Sequence, residues 1–163
     1  TQYHHAYLGG LLEHILSVAK LAISFSTQYP AIKRDLLLTG VILHDIGKTR
    51  ELSCERSFQY TDEGQLTGHL ISGVLMVYEK AHQIDGFPSD LLNVLFHLIL
   101  SHHGEYEWGS PVKPGIPEAI ALHHLDNLDA KVHAATKAIT EHKDTSSSWT
   151  EYVKMFERRL YKK

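Results

Sequence analysis

Apolar residues recur at three- and four-residue steps along most of this chain, and that spacing commits it to packed amphipathic helices. Leu11, Ile15, Val18, Ala22 and Phe25 mark one face of a first helix over Leu8 to Phe25, which Pro30 closes off. Asp35 is placed to cap a second segment, LLLTGVILHDIGK, whose apolar residues lie on nearly every side. This predicts a central buried helix with Gly47 as its stop. Residues 51–68 break the pattern and predict a loop with at most a short hairpin. Helical spacing returns over His69 to Ile84, then over Asp90 to His103 behind a capping Ser89. A Gly- and Pro-rich stretch follows, and Pro117 suits the first turn of a long helix, Glu118 to about Glu141. KDTSSS reads as a polar linker and Trp149 to Tyr161 as a closing helix. The expected fold is all-α, five or six main helices in one domain over residues 1–163.

Charge and cysteine use narrow the possible functions. The formal net charge is −3, so the domain has no overall basic character with which to grip a polyanion. The apolar runs are too short to span a bilayer, and no basic-then-apolar leader opens the sequence. Cys54 is the only cysteine, which precludes an intrachain disulfide and suits a reducing cytoplasm. Thirteen histidines, spread from His4 to His142, stand against sixteen lysines and arginines. Metal ligation and proton transfer are the chemistry that favours this residue.

The strongest local signal is LHDIGK, residues Leu43 to Lys48. A carboxylate and an imidazole side by side at the end of a buried helix each need a compensating partner. One metal ion satisfies both; a simple His–Asp hydrogen bond at a helix end does so equally well. The doublet has company, however. His14 interrupts an apolar helix face, His69 follows Gly68 at a helix start, His102 and His103 close another helix, and Asp126 lies within HHLDNLDAK. Singly, each is explained as a satisfied core or surface residue. In series they place potential ligands on different helices, the way a helical bundle builds a metal site.

The order His14, His44-Asp45, Asp126 resembles the HD-domain superfamily of metal-dependent phosphohydrolases. The resemblance implies that these four are core metal ligands. His69 and His102, with or without His103, resemble the extra ligands of members that bind two metals, with Asp45 bridging. Further segments, GVILHDIGKTREL, GQLTGH, SHHGEYEWGSPVKP, HHLDNLDAK and the terminal RRLYKK, are similar to the HD domain of YhaM-type 3′-to-5′ exoribonucleases. That likeness implies a catalytic piece acting on single-stranded RNA or a nucleotide, with the RNA grip on an N-terminal OB-fold absent from this chain. Two divalent ions, of Mn, Fe, Co or Ni by the imidazole-rich ligand set, would activate water for attack on a phosphodiester. Asp45 and Lys48 are the expected catalytic groups, with Lys48 offsetting phosphate charge; a solvated lysine favoured by a helix C-terminus explains Lys48 as well.

Other residues rank lower. Asp129, one turn beyond Asp126, is expected behind the ligands rather than facing solvent, and Glu13 either outward or behind them. The pairs His4-His5 and His123-His124 suit surface or core packing, because adjacent helical residues diverge. Tyr106 and Trp108 offer base stacking, with hydrophobic anchoring the plainer explanation. The same ligand order also serves HD-fold di-iron oxygenases, though GK after the doublet and the LYK ending fit the exonucleases better. Cyclic-dinucleotide phosphodiesterases of the HD-GYP kind are disfavoured because no GYP follows His103. Nucleotide phosphohydrolases stay open, and a non-catalytic module is disfavoured because every ligand position is filled.

Overall fold

The computed structural model describes residues 9–54, 58–142 and 146–163. It is all-α apart from one small hairpin, as the apolar spacing predicts. Helix α1 spans Gly10–Gln28, α2 Arg34–Leu43, and a single helical turn, α3, Lys48–Glu51. Strands β1 (Leu52–Cys54) and β2 (Phe58–Tyr60) pair antiparallel, with Leu52 opposite Tyr60. Helices α4 (Asp62–Ala81), α5 (Ser89–Ser101) and α6 (Pro117–Thr140) complete the fold. The expected start of α1 at Leu8, the pair His4-His5 and part of the linker, residues 143–145, lie outside the described residues.

Helices α1, α2, α5 and α6 pack on one another, and α4 lies against α5 and α3. Their shared core is Val18 and Ala22, Leu37 and Val41, Leu95, Leu98 and Ile99, and Leu122 and Leu125, joined by Val77 of α4. Leu37, Leu98, Ile99 and Leu122 have no exposed surface, and each such side chain contributes about 1.5–3 kcal/mol by leaving water. Helix α2 is central in its contacts, touching α1, α5 and α6, yet Ile42 on its outer side is 54% exposed. Among the described residues, no helix is long and apolar enough to cross a membrane.

Five expectations are corrected. The Trp149–Tyr161 segment is not a helix: Trp149 bridges Tyr161, Val153 bridges Arg158, and only a 3₁₀ turn, Lys154–Phe156, separates them. Pairing between the two ends of the segment wins over the local period, with the Trp149 and Tyr161 rings 5.1 Å apart and Glu157 reversing the chain at φ 51°. Helix α4 begins seven residues before His69, because Thr61 Oγ1 accepts the Gly64 N–H at 2.9 Å. It kinks at Gly68, so His69 still opens a fresh run of helix. Asp35 lies inside α2, whose cap position is Lys33, and Ser89 inside α5, whose cap position is Pro88. Gly47 is not a left-handed stop, since its φ is −61°. It is needed for closeness: a Cβ there would lie 2.0 Å from the His69 carbonyl oxygen and 2.6 Å from the Gly73 nitrogen. Backbone of the HDIG turn therefore rests directly on backbone of α4.

Candidate metal centre

Each predicted ligand leaves the backbone near the same end of the bundle. His14 projects from α1 and Asp126 from α6. His44 and Asp45 occupy the turn after α2, and Lys48 begins α3. His69 follows the α4 kink, His102 ends α5, and His103 stands in the turn beyond. Gly104 makes that turn possible: its φ is +84°, and a Cβ would strike the His123 ring at 2.2 Å.

The structure brings the other seven residues together around Asp45, which is 2% exposed. On one side, Asp45 Oδ2 lies 3.4 Å from His44 Nε2 and 2.5 Å from Lys48 Nζ. On the other, Asp45 Oδ1 lies 3.5 Å from His69 Nε2 and 3.6 Å from His102 Nε2. His14 Nε2 is 3.0 Å from Asp126 Oδ1, which is also 3.9 Å from His44 Nε2. Three overlapping sets have ligand atoms mutually within 4.8 Å: His14, His44 and Asp126; His44, Asp45 and His102; His69, His102 and His103. The Asp45 carboxylate thus stands between a His14–His44–Asp126 lobe and a His69–His102–His103 lobe.

A second ring of hydrogen bonds aims these side chains. His44 Nδ1–H donates to the Val41 carbonyl at 2.8 Å, and His102 Nδ1–H to the Ile99 carbonyl at 2.7 Å. Both leave Nε2 as the lone-pair atom facing Asp45. His14 Nδ1 bonds Asp129 Oδ2 at 2.8 Å, and the Ser17 hydroxyl donates to the other Asp129 oxygen, so Asp129 supports His14 from behind. Glu51, absent from the sequence reading, accepts the His69 N–H at 3.3 Å and faces its Nδ1 at 3.4 Å. Only the fold puts Glu51, eighteen residues away, at the start of the post-kink helix. His123 is buried and donates from Nδ1 to the His102 carbonyl at 2.8 Å, whereas His124 is exposed.

The shifts at Asp45, Asp126, His102 and His103 suit cation binding. Burial opposes the charge on Asp45, yet His44 and Lys48 hold its carboxyl well below the usual range. Burial likewise opposes Asp126, but its His14 hydrogen bond and the His44 charge bring it down to about 2. Burial, reinforced by neighbouring histidines, lowers His102 strongly and His103 less so. Neutral imidazoles and ionised carboxylates are the ligand forms. His14 and His44 are raised instead; burial disfavours their charge, but Asp126 acts on the first and Asp45 on the second.

The donor set also leaves atoms unsatisfied. His44 Nε2, Asp45 Oδ1, His69 Nε2 and His103 Nδ1 are buried without a hydrogen-bond partner. Orphans of this kind are costly in an interior unless a ligand meets them. Two atoms that bind one ion at about 2.1 Å lie roughly 3.0–3.4 Å apart, close to the contacts around Asp45. The residues therefore fit divalent metal.

The HD domain family matches residues 11–131. The 3′-5′ exoribonuclease YhaM of Bacillus subtilis (strain 168) is 43% identical over 163 residues, all of this chain and 51% of that protein. The YhaM exoribonucleases of Bacillus licheniformis and Bacillus pumilus are 43% and 42% identical over the same span and share. The chain spans about half the length of the curated relatives it matches. No solved structure matches it.

Proposed function

The chain belongs to the HD-domain family, and from that premise we propose that it is the catalytic domain of a metal-dependent phosphodiesterase removing nucleotides from the 3′ end of single-stranded RNA. One observation carries the reading: a single buried carboxylate, Asp45, standing between two histidine lobes. On this reading His14, His44 and Asp126 hold one divalent ion, His69, His102 and His103 a second, and Asp45 serves both. Imidazole-rich ligation favours Mn, Fe, Co or Ni over Mg or Ca. When bound, such ions supply a deprotonated water and positive charge facing the phosphate.

The chain's own groups do the positioning. The Nδ1 bonds to Val41, Ile99 and Asp129 fix the His44, His102 and His14 rings before any ligand arrives. Lys48 is the cation next to the shared carboxylate. Burial disfavours its charge, but Asp45 raises its pKa and keeps the ammonium protonated. Its role is to hold a non-bridging phosphate oxygen and offset the charge that grows there. With a net charge of −3 the domain has little general attraction for RNA. The electrostatic grip on the polymer is therefore assigned to an OB-fold outside this stretch, in line with relatives about twice as long.

The test combines metal analysis of purified protein with hydrolysis of linear and circular single-stranded RNA of equal sequence. Two transition-metal ions per chain and mononucleotides from the linear strand alone are expected. Equal cleavage of the circle rules out action from an end, and ligation excluding His44 and Asp45 moves the active site elsewhere.

A further inference from the structure

The loop after His103 holds two aromatic rings that the metal centre does not use. Tyr106 and Trp108 flank a single 3₁₀ turn and remain 64% and 52% exposed. Rings that merely anchored the loop would be buried; these present most of their surface to solvent. The loop itself is secured. Ser110 is buried and its hydroxyl donates to the Leu100 carbonyl at 2.9 Å, while its N–H bonds the Glu105 carbonyl at 3.2 Å. The Trp108 ring lies 5.8 Å from the His123 ring at a 34° tilt, and His123 in turn bonds the His102 backbone. Gly109 follows Trp108 directly and stands against His103 Nδ1, 3.9 Å from where its own Cβ would project. Trp108 is thus one residue removed from the site and braced through His123, with Tyr106 in the same turn.

Each ring also has a cation. Lys113 Nζ is 5.4 Å from the Tyr106 centroid and Lys131 Nζ 5.9 Å from that of Trp108. Exposed rings stack bases regardless of sequence, and lysines beside them meet the phosphates of the stacked nucleotides. Both lysines are on long flexible stems; Lys113 is paired with Glu105 at 2.5 Å and must exchange that carboxylate for a phosphate, whereas Lys131 can swing from ring face to backbone phosphate.

We propose that Tyr106 and Trp108, with Lys113 and Lys131, form a stacking surface that holds the nucleotides next to the scissile bond of a single-stranded polynucleotide. This rests on the phosphodiesterase reading above and adds to it a base-dependent, sequence-tolerant grip built into the HD domain itself.

The test uses metal-loaded protein carrying Trp149→Phe, so that tryptophan emission comes from Trp108 alone. It is titrated with a short hydrolysis-resistant phosphorothioate oligoribonucleotide and with an abasic strand of equal length. Saturable quenching by the first is expected, with the abasic strand binding about 5- to 150-fold more weakly. With Trp149 kept and binding followed by polarisation of a labelled strand, Trp108→Ala should lose the same factor, and Trp108→Phe should recover most of it. Lys131→Ala should lower the slope of log affinity against log salt by about 0.7. No binding, binding without quenching, equal affinity for the abasic strand, or Trp108→Phe as damaging as Trp108→Ala each overturns the surface. Hydrolysis of unmodified RNA by the same preparation separates the two readings. Cleavage without quenching keeps the phosphodiesterase and removes the surface, whereas quenching without cleavage does the reverse.

Discussion

Gly47→Ala tests how tightly the HDIG turn is coupled to the metal centre. The added Cβ would lie 2.0 Å from the His69 carbonyl oxygen and 2.6 Å from the Gly73 nitrogen. Reaching ordinary contact requires the turn and α4 to separate by roughly 1.4 Å. Both obstacles are backbone, so no rotamer change relieves them. Overpacking costs about 1–3 kcal/mol, and a backbone clash belongs at the upper end of that range. For a domain of this size, about 3 kcal/mol lowers the melting temperature by roughly 6–12 °C. The same displacement acts on chemistry, because His69 is the residue pushed. Its Nε2 stands 3.5 Å from Asp45 Oδ1, and ligand distances tolerate only about 0.2 Å. The expected variant is folded, less stable, and binds one ion fewer than the two proposed for the wild type. Calorimetry and metal analysis on one preparation read both effects. A variant melting within about 2 °C of wild type with two ions bound would refute the reasoning, since no room exists for that methyl group unless α4 moves.

Asp45→Ala should lower phosphodiester hydrolysis by more than about 10³-fold and reduce the bound metal, while Lys48→Ala should lower turnover by about 10²-fold with both ions retained. Steady-state kinetics and metal analysis on matched preparations separate the two, and an Asp45→Ala variant with two ions and normal turnover would displace Asp45 from its role. His69→Ala should leave the His14–His44–Asp126 lobe able to bind one ion, which titration of apoprotein with Mn or Co counts directly. Chelation should lower the melting temperature by about 10 °C, because an ion at a thousandfold excess over its Kd adds about 4 kcal/mol to the folded state. An unchanged melting temperature on complete metal removal would mean that the ligand cluster is not a metal site.

How much of this was legible in the sequence depends on the range of the forces involved. The α1, α5 and α6 helices follow from apolar spacing, which reports which side of a helix faces the core within a few residues along the chain. The doublet His44-Asp45 and the remaining histidines announced themselves because ionisable groups in apolar segments need compensation. Local reading failed where a partner far along the chain set the geometry. Helical spacing in Trp149 to Tyr161 was overruled by pairing of its two ends. Gly47 read as a helix stop, although its requirement comes from α4, whose backbone presses on it. Glu51 and Asp129, the latter held by Ser17, support the His69 and His14 side chains from behind, and Asp129 alone carried a hint, through its position one turn past Asp126. Sequence by itself thus determined the fold class and singled out the candidate ligand residues, because apolar period and residue charge are properties of the local sequence. Which carboxylate oxygen faces which imidazole, and which ring nitrogen is left bare, only the tertiary structure decided, since those are distances between residues up to 115 positions apart.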